Sequence, residues 1–346
     1  MLRYLTAGES HGQALTAILD GMPAGLKLGV GQINYELKRR QSGYGRGQRM
    51  KIEKDMAQII SGVRKGVSLG SPIGLLIKNK DFSIEKMPDI FCPRPGHADL
   101  SGVLKYGFKD IRDVLERASA RETAIRVAVG AVCKIFLNEF KINVSSRVLL
   151  IAGECSQGAM MKKIIQAKAN KDTVGGIFEV KASNVPIGLG SYVQQDKRLD
   201  GMLSSSIISI PGIKAIGFGL GFGYAHRFGS QCHDAIYYAK NKGYYRKTNN
   251  AGGIEGGISN GEDIIMHVCM KPISTLLKPL DSVDIRTKKA HKAAVERTDT
   301  CAVESAAVIA EAGTAFVLAS AILEKFGADA LIDIKQSYRN YLKKIS

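Results

Sequence analysis

The chain has 346 residues, 45% of them hydrophobic and 23% charged, with 49 Lys and Arg against 32 Asp and Glu for a formal net charge of +17. That is enough chain for one large core or two packed lobes, and the composition excludes wholesale disorder, a fibre and a disulfide-stapled miniprotein. The surplus of positive charge calls for anionic partners: nucleic acid, an acidic membrane surface or small polyanions.

Residues 2–6 alternate as a short strand and run into Gly8-Glu9-Ser10-His11-Gly12, a glycine turn that displays His11 at a strand end. From Ile33 a helical pattern carries Leu37 on its apolar side and ends in the densest basic run of the chain, Lys38, Arg39, Arg40, Arg46, Arg49, Lys51 and Lys54 around three glycines. A loop of this kind can close over a phosphate or stand as a solvated loop. Residues 59–67 and 73–77 read as strands separated by Gly70-Ser71-Pro72. In Pro93-Arg94-Pro95-Gly96-His97-Ala98-Asp99 two prolines stiffen the approach to His97, and Arg94 and Asp99 are placed to tune its protonation.

The stretch 110–136 holds the strongest helix. Ser119 followed by Glu122 is a capping-box spacing that predicts the helix start, and Ile125, Val129, Val132 and Phe136 form one apolar stripe with Lys134 in the last turns. Arg117, Arg121 and Arg126 stand at the N-terminal end, where free N–H groups and the helix dipole favour an anion. Solvated arginines on a capped helix are the plainer alternative. Residues 143–152 and 175–182 then read as strands, 160–169 and 199–208 as helices, so the second half repeats the alternation of the first without a repeat of sequence. With no low-complexity linker between them, the halves read as two lobes of one unit, dividing near 140–150.

A paired glycine loop at 251–261 precedes a strand that ends in Met270-Lys271-Pro272-Ile273-Ser274-Thr275, where Lys271 and two hydroxyls offer phosphate contacts. Last, Arg297-Thr298-Asp299-Thr300-Cys301 leads into a helix of Val303, Ala307, Ala310, Thr314 and Val317; Glu304 and Glu311 argue against a membrane span, and the ordinary role of Asp299 there is to cap. Trp is absent and few aromatics interleave with the basic runs, which favours small polyanions over nucleic acid. Six cysteines, at 92, 133, 155, 232, 269 and 301, form no C-x-x-C and no disulfide framework, and with no apolar signal core the expected setting is cytoplasmic.

Taken together, the G-E-S-H-G turn, the R-P-G-H-A-D turn, R-A-S-A-R-E-T-A, the paired glycine loop with K-P-I-S-T, and R-T-D near the last long helix closely resemble the chorismate synthase family, in order and spacing over essentially the whole chain. The resemblance implies an α+β fold of β-α-β sandwich type and a homotetramer. It implies conversion of 5-enolpyruvylshikimate 3-phosphate to chorismate and phosphate, a trans 1,4-elimination that needs reduced FMN without net redox change, and NADPH as a candidate reductant of the flavin. By motif, His11 is expected near the departing phosphate as general acid, His97 near the flavin as proton donor, and Asp299 in removal of the C6 proton. Flavin contacts are expected from Arg117, Ala118, Ser119, Gln231, Cys232, Gly256, Lys271, Pro272, Ile273, Ser274, Thr275 and Arg297, and contacts to substrate or NADP from Arg39, Arg40, Arg46 and Arg121. No metal, nucleic acid or membrane is expected. The sequence departs from the family in lacking the proline common after the early arginines, and in having Ala118 where Ser is frequent. The alternative from another class is a basic nucleic-acid-binding protein; a metal-dependent hydrolase built on His11 and His97 lacks clustered ligand spacing.

Overall fold

The computed structural model describes residues 1–47, 53–240, 243–296 and 299–345. Two four-stranded antiparallel sheets enclose a layer of helices. The first sheet is built from β1 (Arg3–Ala7), β2 (Ala14–Asp20), β3 (Ala57–Ile59) and β4 (Ile73–Lys78) in the order β1-β2-β4-β3. The second has β5 (Asn143–Ile151), β6 (Gly176–Ser183), β7 (Ile213–Phe218) and β8 (Ile264–Met270) in the order β5-β6-β8-β7. Both sheets therefore insert their last strand between their second and third. The sequence carries no repeat, but the topology does.

Alternation decides which face of each strand turns inward. Leu15, Ala17 and Leu19 of β2 and Ile73, Leu75 and Ile77 of β4 are buried on one sheet, and Phe178, Val180 and Ala182 of β6 with Ile264, Met266 and Val268 of β8 are buried on the other. Between them lie α1 (Val30–Gln41), α4 (Thr123–Asn138), α6 (Leu199–Ile208) and α7 (Val303–Phe326), and all of these side chains belong to one continuous core. The segment between the first sheet and α4 carries α2 (Asp99–Tyr106) and α3 (Arg112–Ala118), which pack around a separate small cluster of Ile90, Val103, Ile111 and Leu115. Helices α5 (Gln157–Ala169) and α8 (Leu331–Ile345) complete the chain.

The expected stripe on α4 is present, and Ile125, Val129, Val132 and Phe136 are all buried. The burial does not stop at a stripe. Val127, Ala128, Ala131, Cys133 and Leu137 are buried as well, because α4 lies between the first sheet and α7 with little solvent on any side. Its close approach to α7 depends on Gly130, where an added Cβ would stand 2.3 Å from Ala312 Cβ and 2.5 Å from Ala312 Cα. Gly130→Ala is therefore expected to force the helices apart and destabilise the fold by about 1–3 kcal/mol, despite alanine's better helix propensity. Urea unfolding checks this, and a neutral or stabilising result would contradict the packing.

The capping box is displaced from its expected position. Ser119 caps a single 3₁₀ turn, Ala120–Glu122, by accepting from Arg121 N at 3.3 Å, and α4 begins only at Thr123. Glu122 does not reach back to cap; its carboxylate accepts from Thr6 Oγ1 at 2.7 Å and Arg126 Nε at 3.0 Å. Helix α7 is long and apolar enough to cross a membrane by length and composition, yet most of it is buried in the core. Its fully buried Glu311 accepts from both Arg39 terminal nitrogens at 2.7 Å and also pairs with Lys134. Burial alone would push the Glu311 carboxyl up, but these partners outweigh it and hold it below the ordinary range.

Candidate active site

A cavity of about 570 Å³ opens where the turn after β1, residues 94–98, the α3–α4 junction, residues 208–214, the end of β8 and the first turns of α7 converge. Among the described residues, six cationic side chains line it, Arg40, Arg46, Arg94, Arg121, Lys214 and Lys271, against two carboxylates, Glu296 and Asp299. Ile208, Ile210, Ile213, Met270, Ile273, Ala302, Ala306 and Ile309 supply an apolar wall.

Both expected histidines face this space, each held by a carboxylate. The turn bearing His11 needs Gly8 at φ +112°, where a Cβ would stand 2.2 Å from Ala14 O. His11 Nδ1 lies 2.9 and 3.1 Å from the two oxygens of buried Glu116, whose Oε2 also accepts from His11 N at 2.8 Å. Burial pushes the Glu116 carboxyl up; the hydrogen bonds and charge of His11, with Arg112, more than reverse this and hold it below the usual carboxylate range. His97 Nδ1 lies 2.5 Å from Asp99 Oδ1. Arg94 donates to both oxygens of Asp99, at 2.8 and 3.0 Å, and to Thr275 Oγ1 at 2.8 Å. Burial again opposes ionisation of Asp99, but His97 and Arg94 dominate and depress its carboxyl strongly. A carboxylate can only accept, so Nδ1 of His11 carries a proton and Nε2 remains as the nitrogen that can give or take one; at His97 the 2.5 Å contact to Asp99 assigns Nδ1 the same way over the longer 3.1 Å contact to Arg94 Nη2.

Cationic side chains of the lining form two clusters. Arg40 donates to Thr123 Oγ1 and Ala120 O, and lies 3.5 Å from Asp55; Arg121 donates to Asp55 at 2.5 Å and to Asn79 Oδ1 at 3.0 Å. Burial pulls the Arg40 guanidinium down to about 10 against the attraction of Asp55, with Arg46 and Arg121 pushing the same way as burial. Arg121 Nη2 is buried, lies 3.7 Å from Glu53 and makes no hydrogen bond among the described residues. At the other cluster Lys271 donates to Gly96 O and to Ser274 Oγ at 3.1 Å; burial, then the neighbouring Lys214, lowers its ammonium. The first cluster crowds like charges out of water, while in the second the half-buried Lys271 lies near the exposed Lys214; a bound phosphate or carboxylate relieves the repulsion in each.

Asp299 does not cap a helix. The N-cap position of α7 is Ala302, while Asp299 accepts from Gly47 N at 2.5 Å and pairs with Arg46 at 2.6 Å. It thereby holds the basic loop after α1 against the cavity.

Of the expected contact residues, Ala118, Ser119, Lys271, Pro272, Ile273, Ser274, Thr275, Arg40, Arg46 and Arg121 line the cavity together with His11, His97 and Asp299. Arg39 does not, because it turns into the helix layer to meet Glu36 and Glu311. Arg117 does not either; its guanidinium donates to Gly8 O at 2.8 Å and to Thr6. Gln231 and Cys232 sit on a short helical turn away from the cavity, with Gln231 Oε1 accepting from Phe228 N, and Gly256 is at the tip of a hairpin with open space around it. Arg297, with Arg49 and Lys51 of the basic run, lies outside the described residues. Glu116, Asn79, Asp55 and Lys214 are part of the site without having been singled out; the only local signal is Arg112 four residues before Glu116 on α3.

Comparison with known proteins decides what this cavity belongs to. The family model for chorismate synthase matches residues 2–323. The chain belongs to the chorismate synthase family. It is 54% identical over 344 residues to the chorismate synthase of Caldanaerobacter subterraneus subsp. tengcongensis, covering 99% of this chain and 98% of that one. To the chorismate synthase of Geobacter sulfurreducens it is 50% identical over 390 residues, covering 100% and 99%. A crystal structure of chorismate synthase superposes with a TM-score of 0.83 at 42% identity, covering 99% of this chain and 98% of that one. The activity is that of a chorismate synthase, a carbon–oxygen lyase that releases phosphate from 5-enolpyruvylshikimate 3-phosphate at the end of the shikimate pathway, and the family uses reduced FMN.

Proposed function

We propose that substrate and reduced FMN share this one cavity, with His11, His97 and Asp299 as its reacting side chains. The observation that supports the reading is a pocket of ligand-binding size lined by cations, in which burial, with Arg46 and Arg121 adding to it, holds Arg40 down to about 10. The residues present fit the cofactor: the apolar wall suits a planar ring system, and the Lys271–Ser274 cluster suits its phosphate. Reduced FMN, when bound, supplies electron density that assists loss of phosphate from C3 and a basic N5 for the proton lost from C6.

Everything else falls to the protein. His11 Nε2 gives a proton to the departing phosphate, while Glu116 keeps the ring from turning away. His97 holds a proton at the flavin side, fixed by Asp99 and Arg94. Asp299 takes part in removing the C6 proton. Arg40, Arg46 and Arg121 bind the anionic groups of the substrate, pre-oriented by buried Asp55 and half-buried Asp299 so that no reorganisation is needed as charge develops on the phosphate. NADPH is the reductant we assign to the flavin, bound through Arg40 and Arg46. We further read the chain as one unit of two lobes dividing near 140–150, assembled as a cytoplasmic homotetramer without nucleic acid or membrane.

Titrating FMN in the presence of 5-enolpyruvylshikimate 3-phosphate tests the assignment. Lys271→Ala removes a charged donor and is expected to weaken flavin binding about 10–100-fold, the equivalent of one charge-assisted hydrogen bond. Unchanged affinity would count against this end of the cavity as the flavin phosphate site.

A further inference from the structure

We propose that Asn79 is a positioning residue that ties the turn carrying His11 to the Arg121 guanidinium, so that the proton donor and the anion-binding group are placed as one unit. The inference rests on the reading of His11 and Arg121 given above.

Asn79 directly follows β4, whose last residue, Lys78, pairs with Ala14, and it is 5% exposed. Its main-chain N–H donates to Gln13 O at 3.0 Å. Its Nδ2 donates to Gly12 O at 2.7 Å, Glu9 O at 3.2 Å and Ser10 O at 3.3 Å. Two N–H bonds are thus shared among three carbonyls that flank His11 on both sides. On the opposite end of the same amide, Oδ1 accepts from Arg121 Nε at 3.0 Å. A guanidinium only donates and a carbonyl only accepts, so the two ends of the amide cannot be exchanged, and no other side chain of this size supplies both functions. With Nε committed to Asn79, Nη1 to Asp55 and the buried Nη2 lying 3.7 Å from Glu53, every nitrogen of the Arg121 guanidinium is directed by a neighbouring amide or acid at the edge of the cavity. Glu116 fixes the imidazole and the main chain at His11; Asn79 fixes the carbonyls of the turn around it and joins them to the Arg121 guanidinium, whereas Ser119 links Ser10 of the turn only to the Arg121 main chain.

A residue that merely supports the fold and one that places His11 and Arg121 give different double-mutant cycles. Turnover of 5-enolpyruvylshikimate 3-phosphate with pre-reduced FMN, and inhibition by inorganic phosphate, are measured for Asn79→Ala alone and in the His11→Ala and Arg121→Lys backgrounds. Asn79→Ala is expected to lower kcat about 10–100-fold in the parent, the scale of a 1 Å misplacement, and less than about threefold once His11 is absent. The phosphate inhibition constant should rise about fivefold or more in the parent and about twofold or less in Arg121→Lys. If Asn79→Ala does not fold, Asn79→Asp serves, since it keeps an acceptor for Arg121 and loses the donors to the turn; its kcat loss should likewise vanish without His11. Equal fold-losses in parent and double variants, or a kcat within about twofold of the parent, would overturn the proposal. A His11→Ala enzyme with near-parent turnover would instead overturn the role of His11, and the phosphate cycle would then still decide whether Asn79 places Arg121.

Discussion

His11→Ala and His97→Ala are each expected to lower kcat by about two to four orders of magnitude with reduced flavin supplied, the range for loss of a positioned acid or base. The folds should survive. The two side chains are 14% and 19% exposed, and the acids they leave behind keep cationic partners, Arg112 for Glu116 and Arg94 for Asp99. Because the proton donated to the departing phosphate matters only as the C–O bond breaks, kcat and kcat/KM should fall together for His11→Ala, with KM little changed. Supplying the flavin already reduced matters for His97→Ala, since it separates loss of a proton donor from loss of flavin reduction. Near-parent turnover in both variants would remove both histidines from the chemistry.

Asp299→Asn is expected to lower kcat about 100-fold or more while costing only about 1 kcal/mol of stability. The asparagine keeps an acceptor for Gly47 N–H and gives up the charge that pairs with Arg46. Since Asp299 caps no helix, a drop in melting temperature cannot be laid to a lost cap. Turnover and thermal unfolding of the same preparation separate the roles. A large stability loss with normal turnover would make Asp299 a latch for the basic loop and nothing more.

What the sequence made legible follows the range of the interactions. The helix at Leu199–Ile208 and the strand near 176 were readable because apolar periodicity within each segment is also the pattern buried in the core, whereas the strand near 143 buries only Val144 and Ile151 and was readable from its apolar content alone. The His97 cluster was readable because Arg94, His97 and Asp99 lie within six residues of one another in a proline-stiffened turn. The partner of His11 was not, since Glu116 is 105 residues away and reaches it only through tertiary packing. Neighbouring arginines show the same limit. Arg39 and Arg40 stand about 100° apart on the last turn of α1, so one enters the helix layer to meet Glu311 and the other enters the cavity, and an Arg-Arg motif cannot say which. Likewise, Ser119 and Glu122 have capping-box spacing, but the competing partners Thr6 and Arg126 take the glutamate, and the helix begins after it.

The central claim is that this cavity performs the elimination with its own acids and cations around a reduced flavin that emerges unchanged. The direct measurement is anaerobic: protein and 5-enolpyruvylshikimate 3-phosphate are mixed with pre-reduced FMN, with oxidised FMN or with no flavin, and chorismate is followed by absorbance. Repeated turnover with reduced FMN alone, with no net flavin oxidation, is the expected result. Equal rates with oxidised FMN or without flavin would contradict it.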